Sequence, residues 1–309
     1  MPPSTDSASP VDVVVVGGGP AGLTAATYLG RFLRSCLVLD AGDSRAKWIA
    51  ESNNCPGFPN GVAGVELLRR MKAQAVEFGA RFEAAEVEGI ERRRDGFILW
   101  DGTRSWRAHC VILATGLSDK LPDEPWVADA IACGALRLCS ICDAYEAGDS
   151  CIGVYGPARD IGAHGLFLRT YSRQVYLLPS DEGEGGESMR EAVDAGVHVL
   201  PTRGRLGFDG ERCSYACRDG EIFMFDSLYP FLGSHTSAGI AAAAGAALSE
   251  NGEIIVDRDQ MTGMPGLFAI GDVVSGLNQI SVAVGQAAIA ATRVHERLPF
   301  VPRKEEVAS

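Results

Sequence analysis

The stretch VDVVVVGGGPAGLTAA, residues 11–26, decides the fold. Val11 to Val16 is a short β-branched run of the kind a strand buried on both faces requires. Gly17-Gly18-Gly19-Pro20-Ala21-Gly22 forms a turn, and the Ala- and Leu-rich Leu23 to Leu33 reads as a helix. Cys36-Leu37-Val38-Leu39 is a second apolar run, ending at Asp40, 18 positions after Gly22. Strand, glycine turn, helix, strand and terminal acid together open a doubly wound α/β sheet with the dinucleotide fingerprint G-x-G-x-x-G. In this reading Gly17 makes the tight turn, Gly19 admits a pyrophosphate to the backbone, and Gly22 lets helix and strand pack closely. The helix N–H groups face the phosphate charge, and Asp40 accepts from ribose hydroxyls.

A second unit of the same kind begins near residue 151. Cys151 to Tyr155 reads as a strand, Gly156 to Gly162 as a turn, Ala163 to Thr170 as a helix and Gln174 to Leu178 as a strand. This turn is degraded. Ala158 holds the place of the second glycine, where a Cβ intrudes on a pyrophosphate, and Ile161 and Gly162 compete for the third place. Pro179-Ser180-Asp181-Glu182 follows the strand, with no Arg or Lys to neutralise a 2′-phosphate. NADPH in its usual mode is therefore disfavoured. NADH is less excluded, because Asp181 stands ~20 residues after the turn, the place of a ribose-binding carboxylate. A vestigial unit that binds no nucleotide is the alternative.

The expected boundaries are a disordered leader over 1–10, a first part of one domain over 11–117, an inserted domain over 118–234, the second part of the first domain over 235–298, and a tail over 299–309. Within them, Val65 to Phe78 and Val282 to Leu298 read as helices. Phe82 to Leu99 reads as antiparallel strands, and His109 to Ala114, Glu253 to Asp257 and Gly266 to Ile270 as strands. At 309 residues, 46% hydrophobic and 22% charged, the chain has the composition of a soluble globular protein of about two domains. Its net charge of −12 argues against a nucleic-acid partner. No apolar run approaches the ~20 residues of a membrane span, and MPPSTDSASP lacks the apolar region of a secretory signal. Nine cysteines, an odd number in a long chain, point to a reducing, cytoplasmic setting with most thiols buried.

Cys139-Ser140-Ile141-Cys142-Asp143 carries the strongest chemical signal. Two thiols spaced by two residues at a helix start can close a small disulfide, the helix end favours the thiolate, and the adjacent acid can exchange protons. A zinc site would need a second pair, for which Cys213-x-x-x-Cys217 is poor, and two buried structural thiols are the other alternative. Gly271-Asp272 ends an apolar strand and places a carboxylate either on a ribitol hydroxyl or on a helix N-cap.

These motifs resemble, in their order, the low-molecular-weight thioredoxin reductases of the pyridine nucleotide–disulfide oxidoreductase superfamily. The resemblance runs from residue 11 to about 298. It rests on VVVVGGGPAGLTAA (13–26), NNCPGFPNGVAGVELL (53–68), VILATG (111–116), CSICD (139–143), GLFAIGDV (266–273) and NQISVAVGQAAIAA (278–291). It implies two doubly wound Rossmann-like domains: an FAD domain built from both chain ends, and an inserted domain bearing the Cys pair. A homodimer and one tightly bound FAD are implied too. By resemblance, Gly17, Gly19, Pro20, Ala21 and Gly22 cradle the pyrophosphate, and Asp40 and Ala41 lie at the ribose. Arg45, Asn54, Ala114, Thr115 and Gly116 line the cofactor. Gly271 and Asp272 meet the ribitol, and Gln279 and Ile280 the flavin ring. Cys142 would take electrons from the flavin, Cys139 would attack the substrate disulfide, and Asp143 would be the acid/base.

The departures from the family carry information of their own. GPARDIG and PSDE replace a complete glycine turn and a His-Arg-Arg run, SRAKWIA at 44–50 differs, Cys55 replaces an aromatic residue and Asn278 an arginine. Such losses resemble the pyridine-nucleotide-independent branches, namely ferredoxin-dependent flavin thioredoxin reductases, diflavin-linked disulfide oxidoreductases and dithiol oxidases of the gliotoxin-oxidase kind. The expectation is an FAD enzyme that passes electrons through Cys139 and Cys142 to a thioredoxin-like protein disulfide. Its donor is expected to be a ferredoxin-type carrier or a second flavin rather than NADPH, with a second flavin or nothing in the inserted domain. The alternatives are an NAD(P)H-dependent thioredoxin reductase with divergent contacts, a dithiol oxidase, and a non-catalytic FAD redox sensor.

Overall fold

The computed structural model describes residues 9–274 and 276–302; most of the expected leader and the end of the expected tail lie outside the described residues. β1 (Val11–Val16) passes through three glycines into α1 (Pro20–Arg31) and β2 (Cys36–Asp40). α2 (Gly64–Glu77), β3 (Arg81–Ala84), β4 (Gly89–Arg93), β5 (Gly96–Trp100) and β6 (Ser105–Leu113) follow, and β7 (Leu117–Asp119) carries the chain on. α3 (Val127–Ala132) and the short α4 (Ser140–Asp143) precede a second βαβ run of β8 (Cys151–Gly156), α5 (Ala158–Leu168) and β9 (Gln174–Pro179). Next come α6 (Gly186–Asp194), β10 (His198–Val199), β11 (Arg205–Phe208), β12 (Cys213–Ala216), β13 (Ile222–Phe225), β14 (Ser227–Pro230) and β15 (Ser234–Thr236). α7 (Gly239–Ala243), β16 (Leu267–Ala269) and α8 (Ile280–Arg297) close the chain.

The chain divides into two compact units. The first takes the residues up to Lys47, Glu66–Leu117 and those from Thr236 onward. Its sheet runs in the order β3-β2-β1-β6-β5-β4, with β16 also on β6. β6 is long enough to share its outer edge: Ser105–Ala108 hold β5 antiparallel, and Val111–Leu113 hold β16 parallel. Alternation along the strands builds a core on each face. Val13, Val15, Val38, Ile112 and Phe268 pack with Ala25 and Leu29 of α1 and Ala287 and Ala291 of α8. Val14, Leu37, Leu99, Val111 and Leu113 pack on the other face with Ala241 of α7. The alanines of α1 and α8 let the two helices lie close together over one face. Buried Arg34 closes the end of α8 by donating to the carbonyls of His295, Leu298 and Pro299.

The second unit comprises Trp48–Val65 and Ser118–His235. It holds a four-stranded parallel sheet in the order β10-β9-β8-β14 and a three-stranded antiparallel sheet of β11, β12 and β13. Trp48–Val65, expected within the first domain's 11–117 span, clusters with this unit instead. Pro56, Gly57, Pro59 and Gly61 deny that stretch a place in a ladder, and it closes on itself through a Ser52–Val62 bridge.

The expected strand at Glu253 to Asp257 is not a strand. Ile254 bridges Leu248 and Val256 bridges Thr262, so pairing partners change within three residues. The Asp257 carboxylate then turns the chain by accepting the N–H groups of Asp259 and Met261. Phe268 is almost wholly buried between α8 and the sheet. Phe268→Ala is expected to lower the stability of the first unit by about 3–5 kcal/mol, read as a lower urea midpoint by circular dichroism.

Candidate functional site

In the first unit the turn between β1 and α1 is shaped by glycine. Gly17 has φ +110, and a Cβ there would fall on the Ala114 carbonyl oxygen; one on Gly22 would fall on the Gly17 carbonyl. A Cβ on Gly19 would stand 3.3 Å from Ser44 Oγ, filling the open side of the turn. Gly19 is the N-cap of α1 and offers no capping side chain; Pro20 has no N–H and Leu23 donates to the Gly19 carbonyl at 3.0 Å, so Ala21 and Gly22 carry the helix-start N–H groups that a bound anion can meet. Asp40 at the end of β2 accepts the N–H groups of Gly18 and Gly42 on Oδ1, both at 3.1 Å, which leaves Oδ2 for a ribose hydroxyl.

The other expected cofactor residues of this unit gather at the same ends of β1, β6 and β16. Ala114 donates its N–H to Val16, and Thr115 Oγ1 donates to the Ser237 carbonyl at 2.7 Å. Gly271, with φ +78, donates its N–H to Gln286 Oε1 at 2.7 Å. Asp272 pairs with Arg45 at 3.8 Å. Gln279 is the N-cap of α8. Beside it, Asn278 Oδ1 is buried without a hydrogen-bond partner, an acceptor that calls for an N–H donor. The bare glycine turn and this orphaned acceptor fit FAD. Asn54 lies instead in the Trp48–Val65 segment of the second unit, where its Oδ1 accepts from Ser52 Oγ at 3.2 Å.

The corresponding turn of the second unit is built differently. Only Pro157 separates β8 from α5, and proline has no N–H to offer. The N–H of Ala158, the first residue of α5, donates to Asp181 Oδ1 at 3.1 Å, and Gly183 donates to the same oxygen at 3.1 Å. Asp160 donates its N–H to the Pro157 carbonyl. Glu182 is held by Arg203 at 3.0 Å. Phe231, just past the end of β14, stacks on His164 of α5 with ring centroids 3.4 Å apart and planes within 9°. Burial lowers the His164 pKa against the pull of Asp160, which favours a neutral ring in that stack.

Cys139 and Cys142 form a disulfide, with Cα atoms 5.3 Å apart. Cys139 is the extended N-cap of α4, and its carbonyl accepts the Cys142 N–H at 3.0 Å. Ile141, between the cysteines, is 56% exposed and Tyr145 83% exposed, so the pair sits beside an accessible apolar rim. Asp143 accepts the Tyr229 hydroxyl on Oδ1 at 2.8 Å and faces Arg137 across 3.4 Å on Oδ2. Burial pushes the Asp143 carboxyl up, Arg137 and the Tyr229 hydroxyl pull it down, and Glu146 adds to the rise. Burial and the Asp143 charge push the Tyr229 hydroxyl far up, so it stays a donor. Arg137 Nε in turn donates to buried Ser227 Oγ at 3.0 Å.

Sequence reasoning missed Arg137, Tyr229, Ser227 and Gln286. Of these, Gln286 lies within the quoted 278–291 motif and Arg137 two residues before Cys139, while Ser227 and Tyr229 lie near no motif. Five of the seven other cysteines are buried, and burial raises the Cys36 and Cys213 thiols to about 12, as befits core thiols. Gly22→Ala is expected to open the β1–α1 turn. The purified protein should then lose most of its yellow flavin on gel filtration, measured as the absorbance ratio of the flavin to the protein band.

Residues 11–155 and 173–287 match the pyridine nucleotide-disulphide oxidoreductase family. The thioredoxin reductase of Listeria innocua serovar 6a is 26% identical over 301 residues, covering 90% of this chain and 91% of that protein. That of Mycoplasmopsis pulmonis is 28% identical over 306 residues, covering 93% and 97%. Among solved structures, HlmI superposes with a TM-score of 0.87 at 27% identity over 95% of this chain and 93% of its own. The thioredoxin reductase of Streptococcus pyogenes, at 23% identity over 93% of this chain and 97% of its own, shares the fold with a TM-score of 0.84. The chain belongs to the pyridine nucleotide-disulphide oxidoreductase family and is a flavin-dependent thiol–disulfide oxidoreductase.

Proposed function

We propose that this enzyme works through Cys139 and Cys142 without a pyridine nucleotide. Its substrate is a thioredoxin-like protein disulfide, and its electrons come from a ferredoxin-type carrier. FAD, when bound, supplies a two-electron store that exchanges with the Cys pair. Gly17, Gly19, Pro20, Ala21 and Gly22 would hold its pyrophosphate, Asp40 and Ala41 its ribose, Gly271, Asp272 and Arg45 its ribitol side, and Ala114, Thr115, Gly116, Gln279 and Ile280 its ring.

The observation that carries the donor reading is the Ala158 N–H bonded to Asp181 Oδ1 at 3.1 Å. A dinucleotide needs helix-start N–H groups facing its pyrophosphate. In this turn Pro157 has none, Ala158 gives its own to a carboxylate, and that carboxylate repels an incoming phosphate. A second flavin in this unit would need the same turn, and Phe231 stacked on His164 covers the sheet end where such a ligand lies. The unit is therefore assigned neither NADPH nor a second flavin.

Cys139 is the sulfur offered to substrate, since it precedes the helix while Cys142 lies within it. Asp143, lifted by burial, holds or gives up the proton that each sulfur exchange requires. The same observation supports a second reading, a dithiol oxidase. In that direction electrons enter at the Cys pair from a small dithiol and leave to oxygen, so no reductant site in the second unit is required. The accessible rim of Ile141 and Tyr145 suits either substrate.

Anaerobic mixing separates these readings. Micromolar NADPH is expected to leave the flavin band unchanged, and rapid bleaching by it overturns the donor assignment. Bleaching by reduced ferredoxin, followed by reduction of a thioredoxin disulfide, supports the first reading. Bleaching by a small dithiol that reverses repeatedly on admitting air supports the oxidase.

A further inference from the structure

Asp143 is held by two side chains from outside the Cys-x-x-Cys segment and its helix. Residues 135–137 run beside β14: Leu136 bridges Leu228, Leu228 donates its N–H to the Ala135 carbonyl at 2.8 Å, and Arg137 donates its N–H to the Leu228 carbonyl at 2.9 Å. Ser227 and Tyr229 stand two apart on β14 and so share one side of the strand. Ser227 Oγ anchors Arg137 Nε, Arg137 Nη1 faces Asp143 Oδ2, and the Tyr229 hydroxyl occupies Asp143 Oδ1. The arrangement is a continuous Ser227–Arg137–Asp143–Tyr229 chain, with Ser227 and Tyr229 buried.

We infer that Tyr229 and Arg137 are positioning residues that present Asp143 Oδ2 as the proton-exchanging atom of the Cys139–Cys142 pair. This rests on the reading of Asp143 as the acid/base. With Tyr229 donating to Oδ1, a proton taken up by the carboxylate goes to Oδ2. Arg137 stands 3.4 Å from that oxygen, a long contact that stabilises the carboxylate and leaves the oxygen's second lone pair for the exchanged proton. The step then balances. A substrate thiol attacks Cys139 Sγ, and a new S–S bond forms as the Cys139–Cys142 bond breaks. The electron pair leaves on Cys142 as thiolate, and the thiol proton passes to Asp143 Oδ2. In the opposite direction the same proton returns to the departing sulfur.

The groups that set the charge of Asp143 come from three sides: Arg137 before α4, Glu146 after it, and Tyr229 from β14. Arg137 and Tyr229 favour the carboxylate, while burial and Glu146 oppose it. Removing Tyr229 or Arg137 therefore moves proton exchange to higher pH, whereas a purely structural loss lowers the rate at every pH alike.

The test uses the holoenzyme under argon. Dithiothreitol reduces the Cys139–Cys142 disulfide, the reaction is quenched with an alkylating agent, and labelled Cys139 and Cys142 are counted by mass spectrometry between about pH 5 and 9. Tyr229→Phe and Arg137→Gln are each expected to shift the rising limb of the rate upward by about one pH unit, and Arg137→Lys to restore it. A limb that stays in place while the rate falls in both variants overturns the inference. Asp143→Asn serves as the reference. If the limb vanishes there, the acid/base reading stands and the positioning result can be judged on it. If the wild-type limb survives in Asp143→Asn, the acid/base reading itself fails, and the inference with it.

Discussion

A peptide N–H at the start of a helix must meet an acceptor, and in this protein the identity of that acceptor separates the two units. After β1 the chain keeps three glycines before Pro20, and no side chain caps α1, so the Ala21 and Gly22 N–H groups are left for a bound anion. After β8 it keeps one residue, a proline, and gives the first α5 donor to Asp181. Both units retain a carboxylate that binds two backbone N–H groups around its turn, Asp40 in one and Asp181 in the other. In the first unit that carboxylate braces the loop and leaves the helix end open. In the second it reaches the helix itself. The accepted N–H thus lies on the loop in one unit and at the helix start in the other.

The same electrostatic logic operates at the disulfide. Burial of Asp143 favours its neutral form. Arg137 supplies a positive charge and Tyr229 a hydrogen bond, and both favour the ionised form, while burial holds the group above its ordinary range. The result is a carboxyl set between two opposing influences. Ser227 matters because Arg137 would otherwise be free to turn toward water.

Much of the fold was legible because its determinants are local. Val11 to Val16, the glycine turn and Asp40 lie within one short run, and strand, turn and helix each follow from residue type. Cys139 and Cys142 were legible for the same reason. Tyr229 was not, because it meets Asp143 from 86 residues away and its hydroxyl is indistinguishable in sequence from any buried aromatic on a strand. Asp181 was read by spacing as a ribose acceptor, whereas the hydrogen bond it makes to Ala158 depends on how short the β8–α5 turn is. Glu253 to Asp257 looked like a strand because alternation cannot tell a ladder from two single bridges to different partners. For Trp48–Val65, nothing in the sequence marks which unit the segment joins.

The second unit has a core of its own beneath the β8–α5 turn. Its parallel sheet buries Ile152, Val154, Val175 and Leu177 against Ile161, Leu168 and Ala192 of the flanking helices, and that core does not depend on a nucleotide. Gly162 keeps α5 close to α6, since a Cβ there would strike the backbone at Ser188 and Met189. The α5 start is satisfied internally: Asp181 accepts the Ala158 N–H and is fixed by the Gly183 N–H on the same oxygen. The scaffold that carries Arg137, Ser227 and Tyr229 to Asp143 is this same sheet, because β14 pairs with β8. The β8–α5 turn and the support of Asp143 thus draw on different parts of one sheet.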